Sequence, residues 1–258
     1  MGSKCKVHLK RKIHLKQKMH SKLERFLKGF LLQIYPNRCP VCGKVLLDTL
    51  ICTGCVKKIK YVKQPVCCSC GKPLADECME YCADCGKGQH EFRQGKALFC
   101  YQGAVRDMLY RYKYSNRRDY TEFFATEAAR LYSGWLKQCK IDAVAPIPLS
   151  KKKRRRRGYN QAELFARRLA KLVELPYEGK LLARAKDTAP QKKLSARERK
   201  NNLKNAFKIT GNIVKLNRVL LVDDIYTTGA TIDAAALALK RAGVEEVYFL
   251  CISIGQGQ

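Results

Sequence analysis

The sequence predicts an α/β fold: a parallel-rich sheet flanked by helices, preceded by a small N-terminal domain stapled by cysteines. Two observations carry this. Downstream of Phe92, short apolar runs alternate with segments whose apolar residues recur at three and four, the pattern of strands joined by crossover helices. Upstream, most of the 14 cysteines fall into Cys-x-x-Cys pairs, in a stretch from Cys39 to Cys85 with little periodicity.

The elements follow in order. Residues 1–20 read as a solvated basic tail or frayed helix, and residues 1–28 together hold ten Lys or Arg against one Glu. Leu23, Phe26, Leu27, Phe30, Leu31 and Ile34 then recur at helical spacing, so a short amphipathic helix is expected to end before Pro36, its apolar face covering a core in preference to the alternative, a membrane surface to which the protein would be peripheral. No secretory leader is visible, and the apolar run "GFLLQIY" is too short to cross a bilayer. A cytoplasmic protein without a transmembrane segment is expected.

Residues 36–91 form the expected metal domain. Its pairs are Cys39 and Cys42, Cys52 and Cys55, Cys67 and Cys70, and Cys82 and Cys85. Each tight turn offers two thiolates, and two such turns complete a four-sulfur tetrahedron that leaves no open position. The chemistry is structural Zn²⁺, at one or two sites, in preference to iron–sulfur or redox cysteines. Two sequential sites are the expected arrangement; interleaved pairing, or recruitment of Cys68 or Cys78 to the second site, stays open. Cys5, Cys100, Cys139 and Cys251 read as ordinary thiols, and the usage as a whole points to a reducing compartment.

Residues 92–258 form the α/β domain. Strands are expected at "ALFCYQG", "IDAVAPIP", "GKLLAR", "RVLLVDD" and "EVYFLCIS", helices near residues 104–114, 119–138, 159–173 and 230–242, and a polar loop over 185–204. The net charge of +30 predicts attraction to polyanions. Two four-thiolate zinc sites would add −8 + 4 = −4 and leave about +26, so the basic reading survives metal loading. The charge is uneven: Lys4 to Lys28 and Lys151 to Arg157 are dense, whereas residues 217–258 hold three basic and five acidic groups.

That acidic region contains "LLVDDIYTTGAT". The apolar strand is expected to end at Val222 and to expose Asp223 and Asp224 at the sheet edge. The turn Thr227, Thr228, Gly229, Ala230 and Thr231 then enters a helix, and its amides and hydroxyls suit a phosphate. Carboxylates beside a phosphate cradle repel the phosphate unless they hold something else on the same ligand, such as sugar hydroxyls or a bridging Mg²⁺. Ribose 5-phosphate meets that condition.

The stretch resembles the signature of type I phosphoribosyltransferases, which bind phosphoribosyl pyrophosphate (PRPP). With "PIPLSKKKRRRRGYNQAELFARRLA", "APQKKLSARERKNNLKNAF" and the cysteine pairs, in the right order, the chain is similar over residues 30–254 to the ComF family of competence-associated proteins, in particular ComFC-like members. The resemblance implies a type I phosphoribosyltransferase fold behind a double zinc ribbon. It implies that Asp223 and Asp224 contact the ribose hydroxyls and the Mg²⁺ that accompanies PRPP, and that Thr227, Thr228, Gly229, Ala230 and Thr231 hold the 5-phosphate. The turn Leu149 to Arg157 would lie at the pyrophosphate, with Ser150, Lys151 and Arg157 foremost.

Residues 186–202 match the flexible catalytic loop, where Gln191, Arg197 and Asn202 fit the ComF pattern, and Lys113 matches a basic ComF position. Asp223, Asp224, Arg197 and Lys113 are thus the expected catalytic set, for displacement of pyrophosphate at the ribose C1. Thr227 departs from purine-salvage relatives that carry a carboxylate there, which removes acid–base help of that kind.

The implied role is phosphoribosyl transfer in DNA uptake or nucleoside salvage, in the cytoplasm of a bacterium. The alternative is a non-catalytic single-stranded DNA-binding protein that uses the PRPP site as a sensor, with Tyr110, Tyr112, Tyr114 and Tyr159 as candidate stacking residues. The implied partners are PRPP, single-stranded DNA or another nucleic acid, and DNA-uptake proteins at the inner face of the membrane.

Overall fold

The structure is a computed structural model that describes residues 37–88, 90–185 and 206–255. The basic tail and amphipathic helix, Cys5, and the loop bearing Gln191, Arg197 and Asn202 lie outside the described residues. The chain divides into two compact units, the first ending at Cys52 and the second beginning at Thr53. In the first unit, β1 (Asn37–Arg38) pairs antiparallel with β2 (Val45–Leu46). The turn between them is closed by the Cys39 amide donating to the Lys44 carbonyl at 2.8 Å and the Gly43 amide donating to the Cys39 carbonyl at 2.8 Å.

The second unit opens with the short helices α1 (Thr53–Val56) and α2 (Ala83–Gly86). Its sheet is built from β3 (Gln94–Cys100), β4 (Ala143–Pro146), β7 (Arg218–Tyr226) and β8 (Glu246–Ile254). The order is β3-β8-β7-β4 with every pair parallel, for example Val219 beside Val247 and Leu220 beside Val144. Strands buried on both faces read as continuous apolar runs, which is why "LLV" and "FLCI" stood out.

Helices α3 (Gly103–Tyr114), α4 (Tyr120–Gln138) and α6 (Gln161–Leu172) follow the expected periodicity. α4 packs on α6 and β3, and α6 on β4 and β7. α7 (Ala230–Arg241) packs on β8. Its Ile232, Ala235 and Leu239 share a core with Leu221 and Phe249, to which α4 and α6 contribute no residue. Both sheet faces are therefore covered.

Three expectations need correction. "GKLLAR" yields a strand only at β5 (Leu182–Arg184), and it pairs antiparallel with β6 (Phe207–Ile209), outside the main sheet. The run Lys151 to Arg157, expected as a turn, is helix α5 (Lys151–Arg157). Its ends explain it: the Ser150 hydroxyl accepts the Lys153 amide at 3.3 Å, and Gly158 closes the helix at φ 75°. Strand β7 does not stop at Val222 but stays in register with β8 to Tyr226, Asp223 lying beside Cys251 and Ile225 beside Ser253. Among the described residues no helix is long and apolar enough to cross a membrane.

Candidate functional site

The extension of β7 changes what its two acids do. Side chains alternate along a strand, so Asp224 shares a face with Leu220 and Val222, and Asp223 the opposite face with Val219 and Leu221. Neither is an exposed edge group. Asp224, 13% exposed, meets Lys113 Nζ of α3 at 2.9 Å through Oδ1 and Arg157 Nη1 of α5 at 3.9 Å through Oδ2. Lys113 and Arg157 are themselves mostly buried, at 13% and 7% exposure. Asp223 accepts the Asp224 amide at 2.8 Å through Oδ1. Burial, and then the neighbouring Asp224 charge, push Asp223 up to about 7, against the pull of that amide and of Lys113 and Lys153. The site thus contains one ion-paired carboxylate and one that holds its proton near neutrality.

Arg157 is the cation that α5 turns inward. Its Nη1 donates to Gln161 Oε1 at 2.9 Å and its Nη2 to the Tyr114 hydroxyl at 3.3 Å, while its buried Nε has no partner among the described residues. Ser150 is engaged as the helix cap, and Lys151 is exposed. Lys153, not foremost in the sequence reading, is exposed on α5 and lies within electrostatic range of both acids. Burial and the Arg184 and Arg157 charges lower its pKa, while Asp224 and Asp223 act the other way. A cleft of about 520 Å³ opens at the end of β4, lined by Pro146, Ser150, Lys151, Arg154 and Arg184; Asp223 and Asp224 are not among its walls.

After Tyr226 the chain turns through exposed Thr227 and Thr228 to Gly229, the cap of α7 at φ 82°. A side chain at 229 would place its Cβ 2.6 Å from the Tyr226 hydroxyl, so glycine is required twice over, by conformation and by space. Ala230 and Thr231 open α7, and among the described residues no side chain caps its first amides. Free amides at a helix N-terminus are donors for an anion.

The cysteines provide the second chemistry. Zn–S bonds of about 2.3 Å in a tetrahedron set neighbouring sulfurs about 3.8 Å apart. In the first unit, Cys42 Sγ lies 3.7 Å from Cys52 Sγ, and Cys52 Sγ 3.6 Å from Cys39 Sγ. Cys55, three residues on, belongs to α1. In the second unit Cys67, Cys70, Cys82 and Cys85 bring their sulfurs within 4.8 Å of one another, with Cys70 and Cys82 at 3.6 Å, whereas Cys68 and Cys78 are exposed and outside this quartet.

Burial pushes the Cys67 thiol up, but the amides of Cys70, Cys82 and Ser69 more than offset it and leave it at about 7. Burial and neighbouring sulfurs raise Cys70 and Cys85, the latter to about 12. Four crowded thiols that cannot ionise together fit a divalent cation, which removes the repulsion. Buried Lys72 adds positive charge beside Cys70 and Cys82 and pairs with Asp84 at 2.5 Å.

Sequence reasoning missed His90 and Asp233. His90 Nε2 lies 3.3 Å from Cys85 Sγ and its Nδ1 2.8 Å from Asp233 Oδ2, and the Asp233 carboxylate holds the imidazole above its ordinary pKa. The available signal was slight: His90 is the one histidine of four outside the basic tail. Of the candidate stacking residues, Tyr112 and Tyr159 are buried core, whereas Tyr110 and Tyr114 are exposed on α3 with ring centroids 5.1 Å apart.

Comparison with known proteins accords with these features. Residues 30–86 match the double zinc ribbon domain family and residues 159–255 the phosphoribosyl transferase domain family. The chain is 33% identical over 207 residues to competence protein F of Haemophilus influenzae, covering 76% of this chain and 87% of that protein. It is 28% identical to the DNA utilization protein YhgH of Salmonella typhimurium, covering 84% and 96% respectively. It is 27% identical to competence protein ComFC of Bacillus subtilis, covering 76% and 80%. A solved purine phosphoribosyltransferase from Pyrococcus horikoshii aligns with a TM-score of 0.34 at 18% identity, over 51% of this chain and 74% of its own. The double zinc ribbon match spans all eight paired cysteines and supports structural Zn²⁺.

Proposed function

Because the chain belongs to the ComF family of competence proteins, we propose that it binds PRPP with Mg²⁺ at the carboxyl end of β7 and transfers the phosphoribosyl group in DNA utilization. One observation carries this: an acid pair, of which Asp224 is held against two mostly buried cations, lies a few residues from a glycine-capped helix whose first amides no side chain among the described residues caps. In open parallel sheets ligands sit at the carboxyl ends of the strands.

The residues divide the labour. Ribose hydroxyls donate to Asp223 and Asp224, and the turn Thr227 to Thr231 takes the 5-phosphate on its amides and hydroxyls. Hydroxyls arriving at Asp224 compete with Lys113 and Arg157, which frees both cations for the pyrophosphate. The unsatisfied Nε of Arg157 supports such a role. Lys153 and the exposed Lys151 add charge on the leaving-group side. Asp223 and Asp224 would hold the Mg²⁺ that accompanies PRPP, and the ion would supply charge neutralisation for the leaving group. Incubation with PRPP, Mg²⁺ and a panel of nucleobases and nucleotide fragments is expected to release pyrophosphate with at least one acceptor. Release with none counts against transfer.

A second reading rests on the exposed Tyr110 and Tyr114, four residues apart on α3, and on α5, whose Arg156 and Arg157 lie 5.3 and 5.2 Å from the Tyr114 ring. Single-stranded DNA would stack on the tyrosines and run its phosphates along α5. Binding of an oligonucleotide is expected to weaken steeply from 50 to 200 mM salt, and Tyr110→Ala to weaken it about tenfold at fixed salt. Salt-insensitive binding would sink this reading.

A further inference from the structure

We propose that His90 and Asp233 are positioning residues that tie the second cysteine quartet to the phosphate-binding turn, so that the metal-bound ribbon sets the geometry of that turn. The inference rests on the phosphate-site reading above.

Asp233 lies in the first turn of α7, where its amide donates to the Gly229 carbonyl at 2.8 Å. An acid at this end of a helix is drawn to the free amides and the positive end of the dipole, where it would compete with a phosphate. Here it is diverted. Oδ1 accepts the Glu91 amide at 2.9 Å and Oδ2 meets His90 Nδ1 at 2.8 Å. The carboxylate faces the ribbon side, and the first amides of α7 stay available.

The far nitrogen of the same imidazole meets Cys85 Sγ at 3.3 Å. A thiolate bound to a metal is an acceptor of fixed position, and partners of this kind orient what lies beyond them. The ring is also clamped. It stacks on Phe92 at 4.5 Å, and Phe92 meets the edge of Tyr226, the last residue of β7, at 6.2 Å. His90 Cε1 lies 3.3 Å, and the Tyr226 hydroxyl 2.6 Å, from the point a Cβ at Gly229 would occupy. Gly229 is thus held between a residue of the sheet and a residue of the ribbon. The path Cys85, His90, Asp233, α7 is continuous, and it joins groups 143 residues apart in sequence, since that is the separation of His90 and Asp233.

The test compares amide hydrogen exchange of residues 233–236, the first hydrogen-bonded turn of α7, in zinc-loaded wild-type, His90→Ala and Asp233→Ala proteins. Zinc content is measured alongside, and ribose 5-phosphate is titrated into each. Both variants are expected to keep the wild-type zinc content, to exchange these amides about tenfold faster and to bind ribose 5-phosphate about tenfold more weakly. Asp233→Asn, which keeps an acceptor for the Glu91 amide, should fall between. Wild-type exchange in His90→Ala or Asp233→Ala overturns the tether. Loss of zinc from His90→Ala also overturns it, because His90 would then serve the metal and not the turn. If wild type fails to bind ribose 5-phosphate while the variants still exchange faster, the tether stands and the phosphate reading fails.

Discussion

Cys70→Ser should lower the melting temperature by more than 10 °C and release zinc, whereas Cys68→Ser should leave both unchanged. Cys70 is fully buried, and with Cys67 and Cys82 it belongs to the same core as Phe92, Ile232 and Phe249. The quartet therefore closes off one side of the sheet's own core. Removing one sulfur from a closed four-thiolate site gives up much of a metal contribution of order 10 kcal/mol and leaves crowded thiols facing each other without a cation. For a domain of this size each kcal/mol shifts the midpoint by roughly 2–4 °C. Exposed Cys68 adjoins the site but is not one of its four clustered sulfurs, so it tests the ligand assignment directly. Thermal unfolding with a metal-content assay reads both variants.

The opposite sign is expected at the ligand site. Asp223→Asn should stabilise the ligand-free protein at pH 8 by about 2 kcal/mol, raising the melting temperature by roughly 6 °C. Asp223 has its folded pKa raised to about 7 from an ordinary value of 3.8, chiefly by burial and then by Asp224. Between those values the folded state keeps a proton that the unfolded chain has released, so stability falls as pH rises through the window and flattens above about 7. Asparagine cannot ionise and removes that slope, and its amide oxygen can still accept the Asp224 amide. A melting curve that follows pH as wild type does, or a lower midpoint at pH 8, would contradict this. A residue kept at a cost to stability is what a binding site requires.

These expectations show what the sequence made legible. The parallel sheet was readable because strands covered on both faces need unbroken apolar runs, and β7 and β8 have them. The end of β7 was not. Asp223 and Asp224 look like a strand terminus in isolation, yet they stay in the ladder because β8 pairs with β7 as far as Tyr226, and Lys113, more than a hundred residues earlier, pairs with Asp224 at 2.9 Å. Helix α5 was hidden for a related reason. Seven like charges repel at helical spacing, and only the Ser150 cap, the left-handed Gly158, and partners such as Glu163, 3.4 Å from Arg154, make it a helix.

Arg157 illustrates both sides. Its expected place near a pyrophosphate comes from family resemblance, but its inward direction and its contact with Asp224 are products of α5. The cysteine pairs were legible from spacing alone, because two residues between sulfurs fix the turn, whereas the grouping of Cys67, Cys70, Cys82 and Cys85 into one site is a product of the fold. The partners His90 and Asp233 carry no local signature, since a hydrogen bond across 143 residues leaves no periodicity to read.

The central claim is that the carboxyl end of β7 takes one ligand bearing both hydroxyls and phosphate. Calorimetric titration of PRPP in the presence of Mg²⁺ into wild-type protein and into the Asp223→Asn/Asp224→Asn double variant tests it most directly. Hydrogen bonds to charged acceptors contribute about 1.5–3 kcal/mol each, so saturable one-site binding to wild type should weaken at least about 100-fold in the double variant. Equal affinity for both proteins, or no heat with wild type, would contradict it.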